Sequence, residues 1–378
     1  MGRYFIGVMS GTSVDAADAV VADFDHAGRD GQPLRLLGSA SLAWPDDLRA
    51  ELLALGAGCD QELDRAGMAD QRVAHHFARV ISEAMRAAGV GAQDIRAVGS
   101  HGQTVRHRPG YAHPFTLQLG DPNTLAELTG LAVVADFRRR DMSAGGQGAP
   151  LVPAFHQALF SDPEQTVVAL NLGGIANITV LRPGQDVIGY DTGPANMLLD
   201  GWSLRHRGLP YDADGAWAAS ASPDPALLAR LLAHPYLARH APKSTGREEF
   251  GMDWLDTMLA GGGELAPATV QATLAAFTIA SVASDVTRWA DGGQLLVCGG
   301  GARNGCIMRG LAQALPDWRV ESSQARGLDP SWVEACAFAW LARQTIEGLA
   351  GNLPAVTGAR GARVLGGYYP AGTGVRLP

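Results

Sequence analysis

Residues 7–18 read GVMSGTSVDAAD, the most informative segment of this chain. An apolar run over residues 4–8 leads into this segment, and a second apolar run over residues 19–24 follows its carboxylates Asp15 and Asp18. The order predicts a strand, a tight polar turn and a returning strand. A turn of Gly, Ser and Thr offers donors to phosphate oxygens, and nearby carboxylates can hold Mg²⁺. The segment is therefore either a nucleotide-phosphate hairpin or an ordinary turn of small residues.

The composition narrows the class of protein. A chain of 378 residues is long enough for two domains, and its net charge of −8 argues against nonspecific binding to nucleic acid or an anionic membrane. Its four cysteines form no Cys-x-x-Cys pair, which predicts neither a disulfide framework nor a zinc knuckle. No segment approaches the roughly 20 apolar residues of a membrane span. We expect a cytoplasmic protein that binds no membrane and no nucleic acid.

The theme of a strand, a turn and a strand recurs in the second half of the chain. A predicted strand over 167–172 is followed by Gly173 and Gly174, then by strands over 178–181 and 187–190. The spacing is far too long for a solenoid repeat, so it predicts a duplicated domain. Helices are predicted from apolar periodicity and capping residues, and loops from density in Gly and charge. The helices are predicted at 46–55, 65–88, 122–129 and 332–349, and the loops at 137–150 and 352–361.

Polar, glycine-rich turns follow several of the predicted strands. Gly173 and Gly174 sit either where a backbone approaches a ligand or in a plain hairpin turn. Gly299–Gly301 could admit a nucleotide or could allow close packing of a helix on a strand. Asp191 ends a strand just before Pro194, a good first helical residue. Such a carboxylate is either a fixed general base or a helix cap without chemistry.

Several polar residues are candidates for binding a substrate. His101 follows a strand and could bond a sugar hydroxyl, or it could be a structural histidine. Arg138 and Asp141 are interpreted as a polar substrate clamp, and Glu334 is either a substrate ligand or a surface charge. Lys243 opens a segment that resembles the end of a P-loop, but a proline precedes it where that motif needs glycine, so a P-loop is rejected.

With these turns in view, the chain resembles the anhydro-N-acetylmuramic acid kinases, which belong to the superfamily of actin, hexokinase and the heat-shock chaperone ATPases. The matching segments run in order along almost the whole chain. Two positions depart from the family pattern: Ala16 and Ala195 stand where the family usually has glycine. These departures would matter only at a positive φ, where alanine is costly. The matching segments are 7–18, 100–104, 118–123, 135–150, 171–179, 189–200, 243–250, 297–304 and 329–341.

The resemblance implies an α/β, two-domain actin-like ATPase fold, a duplicated ribonuclease H-like fold with a central cleft between the domains. We expect domain I over 1–135 plus 350–378 and domain II over 136–349, with ATP and substrate in that cleft. It also implies a homodimer. The implied reaction hydrolytically opens the 1,6-anhydro ring of 1,6-anhydro-N-acetylmuramic acid and phosphorylates O6, in peptidoglycan recycling.

The same resemblance assigns roles to particular residues. Asp191 is expected to be the base that activates water, Asp15 and Asp18 to hold Mg²⁺, and ATP to be the phosphoryl donor. The expected substrate ligands are His101, Arg138, Asp141 and Glu334. The expected nucleotide ligands are Gly11, Thr12, Ser13, Val14, Asp15, Ala16, Ala17, Asp18, Gly173, Gly174, Gly299, Gly300 and Gly301.

Two alternatives stay open on the residues alone. In a conventional sugar or carboxylate kinase of the same superfamily, Asp191 would deprotonate a hydroxyl rather than water. An ATP-driven conformational protein would need extra partner-binding subdomains, for which the chain has little room.

Overall fold

The structure is a computed structural model that describes residues 2–11, 13–25 and 34–372. Two compact units share the chain. Unit 1 comprises Met1–Leu159 with Trp332–Pro378, and unit 2 comprises Phe160–Ser331. The chain therefore leaves unit 1 once and returns to it with its last long helix.

Each unit begins with three consecutive strands, which helices and further strands follow. The strands are β1 (Tyr4–Met9), β2 (Ala16–Asp23), β3 (Arg35–Ala43), β4 (Ile95–Ser100), β5 (Gln103–Arg108), β6 (Phe115–Leu119), β7 (Val133–Ala135), β8 (Val167–Leu172), β9 (Ile175–Leu181), β10 (Ile188–Pro194), β11 (Gly293–Cys298), β12 (Trp318–Ser322) and β13 (Gly367–Tyr369). The helices are α1 (Asp46–Ala57), α2 (Glu62–Ala88), α3 (Pro122–Thr129), α4 (Phe137–Ser143), α5 (Val152–Phe160), α6 (Asn196–Arg207), α7 (Pro225–Leu232), α8 (Pro235–Ala238), α9 (Met252–Ala260), α10 (Pro267–Thr287), α11 (Gly305–Ala314), α12 (Val333–Ile346) and α13 (Pro354–Thr357).

The main sheets of the two units share an order of five strands, and the sheet of unit 1 adds β13 at one edge, antiparallel to β7. In unit 1 the order is β13-β7-β4-β1-β2-β3, and in unit 2 it is β10-β9-β8-β11-β12. In each unit the first three strands form an antiparallel meander, and the next two strands add in parallel on the other side of the first strand. This repeated 3-2-1-4-5 order confirms the predicted duplicated, ribonuclease H-like α/β fold.

Helix α12 packs closely on the sheet of unit 1. Gly7 on β1 and Gly99 on β4 lie beneath it, and a Cβ at either position would overlap a backbone carbonyl of the helix. The helix is rich in alanine where it crosses the strands, so its backbone can approach them. On the same sheet, α2 buries Phe77 and Ile81 against the core. Truncation of such a buried phenylalanine to alanine typically costs about 3–5 kcal/mol of stability.

Unit 2 has its own core, which is built around α10. This helix has 21 residues, and an 18-residue window within it has a mean hydropathy of 1.2. By length and composition it could cross a membrane, but 72% of that window is buried within the fold. The prediction that no segment approaches such a length is therefore wrong. The helix packs against α6, α7 and α11 as a core helix.

The structure displaces both predicted domain boundaries. Residues 332–349 were expected in domain II, but α12 packs on β1 and β4 and belongs to unit 1. Residues 136–159 also belong to unit 1, so the first crossing lies near residue 160. The predicted loop at 137–150 begins with the helix α4, and the predicted loop at 352–361 contains α13.

Candidate active site

The turn between β1 and β2 is held by its own polar groups. Ser10 Oγ donates to the carbonyl of Ala16 at 2.8 Å and accepts from the indole N–H of Trp44 at 3.1 Å. Val14 adopts a left-handed φ of 55°, which is unusual for a β-branched residue. A Cβ at Gly11 would meet nothing closer than 3.8 Å, so the fold itself does not require glycine there. The turn is thus braced from within while one side of its backbone stays accessible.

The structure separates the predicted nucleotide ligands of this turn into two groups. Gly11, Ser13 and Ala16 are partly exposed, whereas Val14 and Ala17 are buried in the hydrophobic core of unit 1. The side chains of Val14 and Ala17 face the core, so a contact of either residue with a nucleotide would have to use its backbone. Thr12 lies outside the described residues.

The two predicted metal ligands have different surroundings. Asp15 is 70% exposed and forms an ion pair with Arg49 at 3.2 Å. Asp18 lies on β2, half-buried, and burial raises the pKa of its carboxyl while a hydrogen bond from Ser41 opposes that rise. Across residues 2–11, 13–25 and 34–372, no group of three or more His, Cys, Asp or Glu side chains could hold a metal. Mg²⁺ needs only one or two protein carboxylates when phosphates supply further oxygens, so the two aspartates stay candidate ligands.

His101 and Arg138 form one hydrogen-bonded pair in unit 1. Nε and Nη2 of Arg138 lie 3.1 and 2.8 Å from His101 Nε2, and Nη1 donates to the carbonyl of Gly148 at 2.9 Å. The imidazole stacks on Phe338 with ring centroids 4.5 Å apart. Burial, with the Arg138 charge, holds the pKa of His101 well below its usual range. The imidazole is therefore neutral and accepts from Arg138 through Nε2.

Glu334 joins this pair electrostatically. It lies in the first turn of α12, where a helix favours negative charge. Burial raises the pKa of its carboxyl, the Arg138 guanidinium lowers it, and the Asp18 carboxylate raises it. Burial also lowers the pKa of Arg138 to about 10. The structure thus brings together three of the four predicted substrate ligands.

Asp141 is the fourth predicted substrate ligand, and the structure corrects its role. It is fully buried, and its oxygens accept from the Gly148 N–H at 2.8 Å, Asn352 Nδ2 at 2.6 Å and Thr357 Oγ1 at 2.7 Å. Both oxygens are thus engaged inside the protein. Asp141 fastens residues 352–361 to the end of α4 and positions Arg138 through Gly148, which is why that predicted loop is ordered.

A small cavity of about 120 Å³ opens beside His101 in unit 1. Its polar lining includes Gln118, Asp136 and Arg139, which the sequence analysis did not assign to the substrate site. Asp136 has a left-handed φ of 63° and pairs with Arg139 at 3.0 Å. The irregular backbone at Asp136 has no signature in the sequence that would have marked it beforehand.

In unit 2, Asp191 lies in the middle of β10, and the pairing with β9 is interrupted by a bulge between Asp191 and Gly193. The predictions that Asp191 ends a strand and that Pro194 begins a helix are wrong, because β10 continues to Pro194 and α6 begins at Asn196. One carboxylate oxygen accepts from the Thr245 N–H at 3.1 Å, and the Asp191 carbonyl accepts from Tyr236 OH at 2.7 Å. Burial raises the pKa of the carboxyl to about 6, against a hydrogen bond from Thr245 and the positive charge of Lys243, which lower it. The carboxylate makes no hydrogen bond to the first turn of α6 among the described residues, so a purely capping role does not describe it.

The turn between β8 and β9 carries Gly173 and Gly174. Their carbonyls accept from the N–H groups of residues 195–197 at 3.0–3.2 Å, which ties this turn to the start of α6. Neither glycine has a positive φ, and a Cβ on either would meet only ordinary contacts at 3.5 Å or more. The fold therefore leaves space above the backbone that a ligand could fill.

The glycines after β11 differ from one another. Gly299 has a φ of 78°, and a Cβ on Gly301 would overlap Leu172, so the fold requires glycine at both positions. A Cβ on Gly300 would meet nothing within 4 Å. Gly300 and Gly301 line a cavity of about 340 Å³ in unit 2. Its other lining residues are Asn196, Leu199, Asp200, Tyr211, Asp212, Asp214, Arg303, Asn304 and Ser331.

Sequence comparison with known proteins identifies one family of enzymes. The sequence profile of the family described as "Anhydro-N-acetylmuramic acid kinase" matches residues 3–371. The chain is 52% identical to the anhydro-N-acetylmuramic acid kinase of Thiobacillus denitrificans over 369 residues, covering 97% of each chain. It is 50% identical to the enzyme of the same name from Pseudomonas putida, covering 97% of this chain and 99% of that one.

Solved structures give a looser likeness. A ROK family glucokinase from Streptomyces griseus, in complex with glucose and AMPPNP, aligns with a TM-score of 0.40 at 17% identity, over 90% of this chain and 99% of that one. An activator of 2-hydroxyisocaproyl-CoA dehydratase from Clostridium difficile aligns with a TM-score of 0.43 at 13% identity, over 90% of this chain and 97% of that one. At these scores the assignment of the fold rests on the repeated strand order instead.

Proposed function

The chain belongs to the anhydro-N-acetylmuramic acid kinase family, and from that premise we propose how its residues open and phosphorylate 1,6-anhydro-N-acetylmuramic acid. The enzyme is a kinase, and ATP supplies the phosphoryl group. The observation that carries the proposed mechanism is the half-buried carboxylate of Asp191, with a pKa raised to about 6.

Asp191 serves as the base for the attacking water. A general base works best when its pKa lies near the working pH, and a value near 6 keeps most of the carboxylate ionised at pH 7. The Thr245 N–H fixes one oxygen, which leaves the other to take a proton. The acceptor oxygen of the sugar is an ether oxygen without a proton, so the base is needed for water rather than for the sugar.

Ring opening and phosphoryl transfer are coupled through O6 of the sugar. Water oxygen bonds to C1 and its proton passes to Asp191, while the bond between C1 and O6 breaks. The electron pair left on O6 attacks the γ-phosphorus, and the bond from that phosphorus to the bridging oxygen of ADP breaks. The products are N-acetylmuramic acid 6-phosphate and ADP, and the proton taken by Asp191 leaves to solvent.

The nucleotide is assigned to two groups of residues. We assign the β- and γ-phosphates to the backbone of Gly11, Thr12 and Ser13, since Gly11 leaves an open side of the turn. The cavity beside Gly300 has the size and polar lining for a nucleoside. Mg²⁺, when bound, neutralises phosphate charge, and Asp18 is the carboxylate that would hold it.

The sugar is assigned to the cluster of unit 1. Arg138 has donors fixed by His101 and the carbonyl of Gly148, so its guanidinium is held in one orientation for an anionic or hydroxyl group. Glu334 supplies an acceptor for sugar hydroxyls. His101 acts mainly by orienting Arg138, because its Nε2 is already used.

We also propose that the protein works in the cytoplasm as a homodimer, as its resemblance to the family implies. All four cysteines, which the structure describes, are thiols rather than disulfides, and this state suits a reducing compartment.

Mass spectrometry of the sugar tests the function. The purified protein, ATP, Mg²⁺ and 1,6-anhydro-N-acetylmuramic acid are incubated in ¹⁸O-labelled water and quenched quickly. The expected product is heavier by one phosphate and one labelled water, with the label at C1. Gain of phosphate without water would identify a conventional kinase and overturn the role of Asp191 toward water. ADP release with an unchanged sugar would identify an ATPase without this acceptor.

A further inference from the structure

Lys243 is the only lysine of the chain, and it is buried beside the proposed base. Its Nζ lies 3.2 Å from Asp285 Oδ2, and the two side chains are only 2% and 3% exposed. The ammonium also lies 5.3 Å from the ring centroid of Tyr190 and 5.0 Å from that of Tyr236. The Lys243 ammonium is therefore enclosed by one carboxylate and two aromatic faces.

The segment that carries Lys243 also holds Asp191 in place. The Asp191 N–H donates to the Lys243 carbonyl at 3.3 Å, and the Thr245 N–H donates to Asp191 Oδ2 at 3.1 Å. Tyr236, whose ring faces the ammonium, donates its hydroxyl proton to the Asp191 carbonyl at 2.7 Å. The N–H, the carbonyl and the carboxylate of Asp191 are thus all hydrogen-bonded to Lys243 itself or to residues close to it.

Stability alone does not explain a buried pair of this kind. Removing two charges from water costs several kcal/mol for each ion, and apolar replacements of similar size are often as stable or more so. The pair places a positive charge close enough to Asp191 to lower the pKa of its carboxyl. Apolar replacements for Lys243 and Asp285 could fill the same space, but they would place no positive charge near Asp191.

We propose that Lys243 is a positioning residue that keeps Asp191 ionised and oriented for water activation, and that Asp285 keeps Lys243 protonated. This inference rests on the proposed function of Asp191. It accounts for the lysine, the carboxylate and their aromatic surroundings as one device behind the base.

Other charged groups face the same network. Arg288 approaches Asp285 Oδ1 at 3.3 Å, and Tyr190 OH donates to the same oxygen at 3.3 Å. On the far side, Glu249 accepts from Thr245 Oγ1 at 2.8 Å and pairs with Arg239 at 3.3 Å. These groups are unchanged in the variants below, so a shift in the pH profile reports on Lys243 and Asp285.

The test compares the pH dependence of kcat/KM in the full-length protein and its variants Lys243→Met, Lys243→Arg and Asp285→Asn. Lys243→Met is expected to move the rising limb to higher pH by about one unit, which lowers activity about fivefold at pH 6 and leaves it within about threefold of the wild type at pH 9. Burial lowers the pKa of Lys243, and the charge and hydrogen bond of Asp285 oppose that lowering. Asp285→Asn should therefore favour loss of the Lys243 proton and move the limb in the same direction as Lys243→Met. Lys243→Arg should leave the limb in place.

Arg205→Met is the matched control. Arg205 also lies over an aromatic ring, 5.6 Å from the centroid of Trp202, and pairs with Asp256, but it forms no contact with the described atoms of Asp191. It should leave the pH profile unchanged. Thermal melting of every variant checks folding, and if Lys243→Met does not fold, Asp285→Asn and Lys243→Arg carry the test.

Three outcomes would overturn the proposal. Equal loss of activity at every pH with an unmoved limb in Lys243→Met and Asp285→Asn would mean that the pair is only structural. An unchanged profile in both variants would mean that it has no role. A shift in Lys243→Arg as large as in Lys243→Met would mean that charge is not the cause. Failure of Asp191 as the base is a separate result, since Asp191→Asn would then keep its activity.

Discussion

Asp18 in unit 1 and Asp191 in unit 2 are both half-buried aspartates whose pKa is raised by burial. Their neighbours differ. The field of Lys243 reaches Asp191, and the Thr245 N–H bonds to it. Asp18 has Ser41 as its hydrogen-bond partner and lies close enough to Glu334 to raise the pKa of that carboxyl.

The same residue type can therefore serve two purposes, depending on the charges around it. Asp191, with the cation Lys243 nearby, is mostly ionised at pH 7 without a bound ligand and can accept a proton. A buried carboxylate that faces a second carboxylate gains most from a cation that arrives with the substrate.

The largest effect is expected from Asp191→Asn. An amide cannot take a proton from water, so kcat should fall by about 10²–10⁴-fold while ATP binding is retained. Burst kinetics and nucleotide titration measure the two quantities. Added Mg²⁺ should not restore turnover. Retention of most activity would remove Asp191 from the role of base.

The fold of this variant can be checked through stability. The pKa of Asp191 is raised in the folded state, so the wild type loses stability as the pH rises from the unfolded value of 3.8 through about 6. Asp191→Asn should therefore melt no lower than the wild type at pH 7, and the difference between the two should shrink at pH 4.

Asp18→Asn should act through the metal instead. Loss of this carboxylate is expected to raise the half-saturating Mg²⁺ concentration about tenfold or more, with kcat largely recovered at saturating Mg²⁺. Asp15→Asn is the matched control in the same turn, and we expect a change of about twofold because Asp15 is exposed and paired with Arg49. Equal effects in the two variants would show that burial of Asp18 does not distinguish it.

The pH profile of the wild type gives the next effect. Only the ionised form of Asp191 can act as the base, so kcat/KM should rise about tenfold between pH 5 and pH 7, with its midpoint near pH 6. Steady-state rates in buffers of constant ionic strength measure this. A midpoint near pH 4 would mean that burial does not raise the pKa of the base in solution.

The smallest effect is expected where the chain departs from the family pattern. Ala16 lies on β2 and Ala195 has a φ of −125°, so neither position requires glycine. Ala16→Gly and Ala195→Gly should change kcat/KM by no more than about twofold and cost at most about 1 kcal/mol of stability. A large gain in activity from either would mean that the alanine distorts its turn.

Local signals in the sequence predicted much of the fold. The helix α3 begins and ends as expected, because Asp121 caps its first N–H groups and Gly130 takes the left-handed φ at its end. The strand over 167–172 also matches, since its apolar run is bounded by Thr166 and a glycine pair. Capping and periodicity act over a few residues, so they can be read without knowledge of the tertiary structure.

The errors have non-local causes. The segment 137–143 was interpreted as a loop because its three arginines hide any apolar period, yet it forms α4. The order of residues 352–361 depends on Asp141, more than 200 residues earlier. The sequence around Lys243 resembles only the end of a P-loop, and its partner Asp285 lies 42 residues further along the chain. Contacts of this kind leave no pattern in a single sequence.

The packing of α12 on β1 and β4 also has a consequence for synthesis. The ribosome completes all of unit 2 before it makes residues 333–346. Until then, the face of the unit 1 sheet that α12 covers stays uncovered. Unit 2 is a continuous stretch and can fold while the chain grows, whereas unit 1 can close only afterwards. The nascent chain therefore exposes Gly7, Gly99 and the apolar strands around them to chaperones until α12 packs over them.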